Sequence, residues 1–552
     1  MVHMKPALAA LILATTLVAC SKSDDHGVDW VLSNGQILIV DADFSIAEAM
    51  AIEDGRIVAT GSDDQIAAYL GADTKRTDLA GKTIVPGLID NHMHFVRATK
   101  QWYRMVRWDD VKSRARALAL VHERAAQLPD GEWLLVVGGF VFDQFQDDSS
   151  DFTLAELDEL LPDRPLFIQE AYRRGFANSA ALSAAGLSAD TSFSGRGEIV
   201  TNDTGELTGE IVGGAMGLIY DAIPEVATNV WDRSLLSTVD SLLGMGMTTV
   251  YDVGGNTVTP AFYDSVNRVA TAGDLKMRVF YSLNEQNSNS DSAEEIIAEM
   301  NNNAPDMDGL RFAQFGYGET VYRPMRATPF VVSAEDQEHF RNVAITAVEN
   351  GWQLHEHSNR DVKVQLMLSI LDDVAATHPA MRDLRFTIAH TNGMSRESAE
   401  KAIALDMVFA VHSSRRQMSR AAYEAGAVQP PARTINELGG LWGLGSDSTT
   451  VGSPNPFHTL GWVVSGRNIA GDVFMQETVS REDALTAHTR NNAYILFREK
   501  DLGSLEPGKL ADFAVLNGNY MTVPEEDIEN LRSVLTVVAG EVVYSAGNST
   551  LE

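Results

Sequence analysis

Eight short apolar runs recur between residues 86 and 447, and segments long enough to form helices separate most of them. Short apolar runs are typical of buried strands, and two parallel strands need a long crossover connection, usually a helix. Eight successive strand–helix units predict an α/β fold, a TIM-like (β/α)8 barrel whose chemistry lies at the carboxyl ends of the strands. The predicted barrel strands are 86–94, 246–253, 275–281, 310–315, 352–357, 384–390, 407–412 and 441–447.

Short strand-like runs also occur at both ends of the chain. An Asp54-Gly55 pair separates two such runs near the amino terminus, and residues 534–544 repeat the pattern around Ala539-Gly540. An Asp-Gly pair is a strong short-range signal for a hairpin. Because neither end is long enough to bury a core alone, we expect both to build one small β-sandwich domain.

The interval between the first two predicted barrel strands is too long for one connection. It has strand-like runs of its own at 133–137 and 165–169. We therefore expect an insertion over the barrel mouth. The expected organisation is a composite β domain of 28–82 plus 500–552, and a barrel over 83–499 that contains the insertion 97–243.

The first 19 residues have the pattern of a secretory signal peptide. Lys5 precedes an apolar stretch that is too short to span a bilayer stably, and that stretch ends in Leu17-Val18-Ala19-Cys20. This ending resembles the lipobox of bacterial lipoproteins, which implies cleavage after residue 19 and lipid modification of Cys20. Residues 20–27 would then form a polar tether, and Ser21 favours the outer membrane facing the periplasm. An ordinary cleaved signal with an incidental cysteine is the alternative.

The charge of the chain limits its partners. There are 76 Asp and Glu residues against 43 Lys and Arg, a formal net charge of -33. Such a charge repels phosphate backbones and argues against nucleic acid as a partner. Because Cys20 is the single cysteine, an intrachain disulfide is excluded. The expected membrane contact is through the lipid anchor alone, and the sequence leaves the oligomeric state open.

Five side chains that bind metals end the predicted strands. His92 and His94 end the first strand and point to the same face, because side chains alternate along a strand. His357 ends the fifth strand, His390 the sixth and Asp447 the eighth. All of these ends meet at the mouth of a barrel. The pattern predicts a site for one or more divalent ions, with zinc as the first expectation from imidazole-rich ligation.

This arrangement resembles the amidohydrolase superfamily of metal-dependent hydrolases, and within it amidohydrolase family 3, the YtcJ-like group. The resemblance implies that the four histidines are metal ligands and that Asp447 is both a ligand and the general base. It covers nearly the whole chain after the signal-like segment. The segments that carry it are 83–94, 178–182, 351–361, 445–447 and 502–512.

The expected activity is hydrolysis of a carbon–nitrogen bond in a small molecule, such as an amide, an N-acyl group or a cyclic amide. A bound divalent ion lowers the pKa of water to about 7. A nearby carboxylate can take a proton from that water and pass it to the leaving nitrogen. An esterase or lactonase using the same site is one alternative. A surface-anchored binding or regulatory protein without turnover is another.

The sequence departs from the family pattern in two places. Members that hold two ions often bridge them with a carboxylated lysine on the fourth strand, but residues 309–316 contain no lysine, which favours one ion. Glu319, which follows the fourth strand, and Glu170, which follows a strand of the insertion, are the carboxylates that could act in place of this lysine. Arg173 and Arg174 lie where the group often has an Asp-Gly-His sequence. They indicate either an anionic substrate or a surface change without consequence.

Two further histidines lie on predicted barrel strands. His355 shares a strand face with His357 one layer deeper, which favours a hydrogen-bonded interior residue over a ligand. His412 ends the seventh strand. There it would either hydrogen-bond the substrate or have a structural role next to the metal ligands. Histidines outside the strands are expected to be solvated: His122, His339, His378 and His488.

Overall fold

The computed structural model describes residues 27–255, 258–284, 292–326 and 331–547. Within these ranges eight parallel strands form one sheet in chain order, each hydrogen-bonded to the next. The predicted TIM-like barrel is confirmed, and every strand falls on one of the eight expected apolar runs. The strands are Leu88–Met93, Met247–Asp252, Arg278–Leu283, Phe312–Glu319, Gln353–His357, Thr387–His390, Val408–His412 and Trp442–Gly445.

The last barrel strand returns to the first at the carboxyl ends. The backbone N–H of Asp447 donates to the carbonyl of His92 at 2.9 Å, and that of His94 donates to the carbonyl of Ser448 at 2.9 Å. These bonds join the two segments that carry candidate metal ligands. The contacts that close the ring therefore also bring His92, His94 and Asp447 together.

Helices surround the barrel, and local sequence determines where they begin and end. The Ser333 hydroxyl accepts the N–H of Asp336 at the start of one of them, and Gly351 ends it with a φ of 77°, a left-handed conformation that suits glycine. The next barrel strand begins two residues later. The helices are Phe95–Gln101, Thr228–Gly244, Tyr263–Thr271, Ala293–Asn302, Ala334–Asn350, Asp361–Thr377, Arg396–Ala404, Arg420–Glu424, Ala432–Glu437, Pro456–Ser465, Arg481–His488 and Arg490–Ile495.

A second sheet lies between the first and second barrel strands in sequence. It has six strands and its own apolar core, in which Trp108, Phe140 and Phe142 pack edge to face. Its spatial order is Gly197–Thr201, Leu207–Gly213, Arg174–Ala177, Leu166–Glu170, Leu134–Val137 and Met105–Val106, with helices Arg114–Ala125, Leu154–Leu160, Ser179–Ala184 and Gly217–Ala222.

Strands from both ends of the chain pair beside the barrel. The strand Phe513–Leu516 runs antiparallel to Thr83–Pro86. Arg278 of the third barrel strand forms a buried two-fold ion pair with Asp512, just before this strand. The six-stranded sheet has the order Glu541–Ser545, Ser533–Val538, Phe513–Leu516, Thr83–Pro86, Gln36–Leu38 and Ile46–Ala47, and the four-stranded sheet Arg56–Gly61, Ala49–Glu53, Trp30–Ser33 and Lys75–Asp78.

The signal-like segment, Cys20 and most of the tether lie outside the described residues. Of the helices within the described ranges, none combines the length and the apolar character needed to cross a membrane. His488, expected to be solvated, is instead buried at the end of Arg481–His488, with 1% of its surface exposed. That expectation was wrong because a helix pattern does not show which face packs on the barrel.

Candidate functional site

Four of the five predicted ligands meet around the carboxylate of Asp447. Its Oδ1 lies 3.2 Å from His94 Nε2 and 3.8 Å from His92 Nε2. Its Oδ2 lies 3.6 Å from His390 Nδ1. All four side chains are buried at the carboxyl ends of barrel strands. The barrel thus brings together groups that are up to 355 residues apart in sequence.

Glu319 joins the fifth predicted ligand to this group. Its Oε2 lies 2.7 Å from His357 Nδ1, 3.2 Å from His390 Nε2 and 3.4 Å from His92 Nε2. Its Oε1 lies 3.7 Å from His94 Nε2. One carboxylate therefore touches all four histidines. Sequence reasoning treated Glu319 as only one of two candidates, because the fourth strand was expected to end at residue 315 and it extends to Glu319.

The protonation states of these groups suit a cation. Burial raises the pKa of Glu319, but the His357 ring, hydrogen bonds with His357 and His390, and the nearby His92 ring lower it well below its usual value. Burial also raises the pKa of Asp447, and the neighbouring His390 and His94 rings outweigh that effect. Burial lowers the pKa of His92, whereas for His94 the Asp447 hydrogen bond and the two carboxylate charges outweigh burial and raise the pKa. Ionised carboxylates are the forms that bind divalent metals.

Neighbouring groups orient the ligand rings. The Nδ1 of His94 bonds to the carbonyl of Gly254 at 2.8 Å, which leaves Nε2 facing the carboxylates. The Nε2 of His357 lies 2.7 Å from the side-chain amide of Asn359, which leaves Nδ1 facing Glu319. Such outer contacts fix which ring nitrogen faces a metal.

His355 and His412 lie beneath the ligands and do not line the cavity above them. The Nε2 of His355 lies 2.8 Å from Nδ1 of His92. The ring of His412 packs 3.9 Å from that of His92 and 4.4 Å from that of His390, centroid to centroid. Neither ring nitrogen of His412 has a hydrogen-bond partner among the described residues. Burial lowers the pKa of both histidines well below the usual value, so both rings are neutral.

Two of the strand ends have a strained backbone. His390 has a φ of 67° and Asp447 a φ of 56°, in the left-handed region that residues with side chains rarely adopt. Such conformations cost about 1–3 kcal/mol each and cluster at functional sites. In both cases the strained residue carries a candidate ligand. The strain therefore supports a functional role for this end of the barrel.

A cavity of about 440 Å³ opens above the cluster, between the barrel mouth and the insertion. Its wall includes Arg97, Arg173, Arg326 and Arg415, beside Glu319 and Asp447. Four arginines around one cavity contrast with the overall charge of -33. Sequence reasoning did not single out Arg97 or Arg415, since no motif distinguishes them from other arginines.

Glu170 and the two adjacent arginines form an ion network on the insertion. Glu170 Oε2 lies 2.5 Å from Arg173 Nη2 and 3.0 Å from Arg174 Nε. Arg174 also pairs with Asp151 and Glu210, and it is not part of the cavity wall. Within the part of the chain that the structure describes, Glu170 forms no ion pair with the histidines. The structure therefore places Glu319, and not Glu170, among the candidate ligands.

Comparison with known proteins identifies the family. The sequence profile of a family described as the amidohydrolase family matches residues 75–544. The putative amidohydrolase YtcJ of Bacillus subtilis (strain 168) is 25% identical over 523 residues, which cover 90% of this chain and 96% of that protein. The N-substituted formamide deformylase of Arthrobacter pascens is 25% identical over 558 residues, 94% of this chain and 99% of that protein.

A solved structure has the same fold. An uncharacterized metal-dependent hydrolase from Pyrococcus furiosus superposes with a TM-score of 0.62 at 20% sequence identity, over 89% of this chain and 100% of the other. The similarity extends well beyond the eight barrel strands. It supports the barrel fold independently of any single motif.

Proposed function

The chain belongs to the amidohydrolase family, and on this premise we propose that it hydrolyses an amide bond of a small molecule with Asp447 as general base. The observation that carries the proposal is the convergence of four histidines on two buried carboxylates below a cavity. The similarity to a deformylase that acts on N-substituted formamides supports a carbon–nitrogen bond as the target.

The residues present fit a divalent metal. His92 Nε2 is buried and has no hydrogen-bond partner among the described residues, although it points between the carboxylates of Glu319 and Asp447. A cation at this position would satisfy all three groups. We propose zinc, because imidazole and carboxylate ligands suit it. The proposed ligands are His92, His94, Glu319, His357, His390 and Asp447.

We also propose two ions in place of the single ion expected from the sequence. The missing lysine on the fourth strand argued for one ion, but Glu319 supplies a carboxylate from that same strand. Its Oε2 lies near His357, His390 and His92, while its Oε1 is the atom near His94. A carboxylate in contact with all four histidines supports a shared ligand.

A metal held by these residues would polarise the substrate carbonyl and lower the pKa of water to about 7. Asp447 takes a proton from the attacking water, because its pKa is held below the usual value and it is ionised. The same side chain then delivers that proton to the leaving nitrogen as the carbon–nitrogen bond breaks.

The test combines metal analysis with a screen of amides, cyclic amides and matched esters. We expect metal in the purified protein and an Asp447→Asn variant that folds but loses about 100- to 10,000-fold in kcat, as expected when a general base is removed. Faster turnover of esters than of amides would favour the esterase alternative. A folded protein without divalent metal, or an Asp447→Asn variant as active as the parent, would contradict the proposal.

The cell-envelope location is a separate proposal that rests on residues 17–20. We propose that Cys20 is lipid-modified and holds the protein at the outer membrane, facing the periplasm. The Cys20→Ser variant should appear in the soluble periplasmic fraction. Retention of that variant in the membrane fraction would contradict the lipid anchor.

A further inference from the structure

We propose that the substrate carries a carboxylate beside the scissile amide, and that Arg415 and Arg97 bind it. This inference rests on the proposed hydrolase function and adds the substrate class. The charged groups in the cavity wall support it. Two arginines there lack the partners that buried cations normally have, while the acidic groups are already engaged.

Arg415 is the clearer of the two cases. It lies in the short helical turn Ser413–Gln417 after the seventh barrel strand, and its side chain lines the cavity. Its guanidinium forms no hydrogen bond or ion pair with any residue that the structure describes, and its Nε is buried. The adjacent Arg416 instead pairs with Glu529 at 2.6 Å and donates to the carbonyl of Asp109. Burying an unpaired cation is costly, so Arg415 is poised for a ligand.

Arg97 approaches the same cavity from the other side of Asp447. It follows His94 by three residues in the helix Phe95–Gln101 and lies beside the phenols of Tyr172 and Tyr220. Its Nη2 is buried and has no hydrogen-bond partner within the described ranges. A phenol is a neutral neighbour, so the negative charge that acts on Arg97 is that of Glu319, which is itself a proposed metal ligand.

The barrel order places both arginines next to the reacting groups. The eighth strand, which Asp447 follows, lies between the seventh strand and the first strand. Arg415 follows the seventh strand, and Arg97 follows the first. Burial lowers the pKa of Arg415, and the nearby negative charge of Asp447 offsets part of this effect. An anion held by these arginines would therefore lie close to the bond that is cut.

No acidic side chain in the cavity wall is free to pair with them. Glu170 is held by Arg173 and Arg174, and Glu319 and Asp447 are proposed metal ligands. Gln417 adds a side-chain amide that also lines the cavity and has no partner among the described residues. Guanidinium groups bind carboxylates through paired, charge-assisted hydrogen bonds. The missing counter-charge is thus best supplied by the substrate.

The test uses N-formyl and N-acetyl derivatives of L- and D-amino acids, each paired with its neutral primary carboxamide. The metal-loaded enzyme should hydrolyse the preferred acid with a kcat/KM at least about 100-fold above that of its carboxamide. Arg415→Gln and Arg97→Gln should each lower the value for the acid by about 10- to 100-fold and leave the carboxamide within about threefold. Arg415→Lys should recover part of the loss, because lysine keeps the positive charge but lacks the paired N–H donors of a guanidinium.

Arg396→Gln is the matched control, since this arginine is exposed on a surface helix and pairs with Glu400. It should leave both substrates unchanged. Equal hydrolysis of acids and carboxamides by the parent enzyme would overturn the carboxylate site and leave the hydrolase proposal standing. Failure to hydrolyse any amide would instead count against the hydrolase proposal.

A binding measurement separates the two proposals when turnover is absent. Calorimetric titration of the metal-loaded Asp447→Asn variant with the same acids and carboxamides reads affinity without hydrolysis. We expect the preferred acid to bind at least about tenfold more tightly than its carboxamide, and Arg415→Gln in that background to remove the difference. Equal affinities for acid and carboxamide across the panel would overturn the inference.

Discussion

Glu319 Oε2 lies 2.7 Å from His357 Nδ1, so neighbouring fourth and fifth barrel strands contribute facing groups to one site. If Glu319 is a shared ligand, Glu319→Gln should lower the metal content from about two ions per chain to one or fewer. Loss of a negative ligand among neutral imidazoles explains the direction. Metal analysis of dialysed protein measures it.

Glu170→Gln is the control for that variant. It makes the same substitution at Glu170, the other candidate carboxylate that the sequence offered. Its ion network with Arg173 and Arg174 lies on the insertion. The folded fraction of Glu170→Gln should keep its full metal content. A loss of metal in Glu170→Gln with none in Glu319→Gln would reverse the assignment.

The barrel could be predicted from the sequence, whereas the end of its fourth strand could not. Residues 316–319 read Gly-Tyr-Gly-Glu, and two glycines interrupt an apolar strand pattern. The structure gives the reason for them: a Cβ at Gly316 would lie 2.4 Å from the Tyr251 hydroxyl, and one at Gly318 would lie 1.9 Å from the carbonyl of His355. Close packing inside the barrel requires these glycines, and the sequence alone does not reveal such packing.

The candidate metal ligands could be predicted from the sequence, whereas the unpaired arginines of the cavity wall could not. Strand ends converge in any barrel, so His92, His94, His357, His390 and Asp447 could be placed together from spacing alone. A role for Arg415 depends on the absence of a partner, which only the three-dimensional structure shows. The sequence drew attention instead to Arg173 and Arg174, whose charges the structure pairs with Glu170.

His355 should support metal binding without touching the metal. Its Nε2 lies 2.8 Å from Nδ1 of His92 and holds that ring in place. We expect His355→Phe to weaken metal affinity by about 10- to 100-fold, as is typical when the outer partner of a ligand is removed. Competition with a chelator measures the affinity. His355→Gln, which keeps a polar group, should recover part of it, and an affinity in His355→Phe equal to that of the parent would contradict this role.

The ion pair between Arg278 and Asp512 should stabilise the junction of the barrel and the terminal strands. Both side chains are buried, and the two bonds are 2.8 and 2.9 Å long. Asp512→Ala leaves a buried charge unpaired, which should lower the free energy of unfolding by about 3–5 kcal/mol. Denaturant titration followed by fluorescence measures the change.

The exposed pair of Arg268 and Asp232 provides the comparison for this loss. Its bond is also 2.8 Å long, but 44% of the Arg268 side chain is exposed. Asp232→Ala should cost less than about 1 kcal/mol, because solvent screens the pair. The double variant Arg278→Met, Asp512→Leu should recover most of the stability lost in Asp512→Ala. Equal losses in Asp512→Ala and Asp232→Ala would show that burial does not decide the strength of these pairs.

His488 should make folding sensitive to acid. Burial lowers the pKa of this histidine from 6.5 to about 4, so the unfolded chain binds a proton at a higher pH than the folded chain does. Its contribution to stability is complete above pH 6.5 and declines as the pH falls through 6.5 towards 4, by about 3 kcal/mol in all. Denaturant titrations at several pH values should therefore show a flatter profile for His488→Gln than for the parent across this interval. The exposed His122, changed to Gln, should keep the parental slope, and a parental slope in His488→Gln would show that His488 does not titrate in this way.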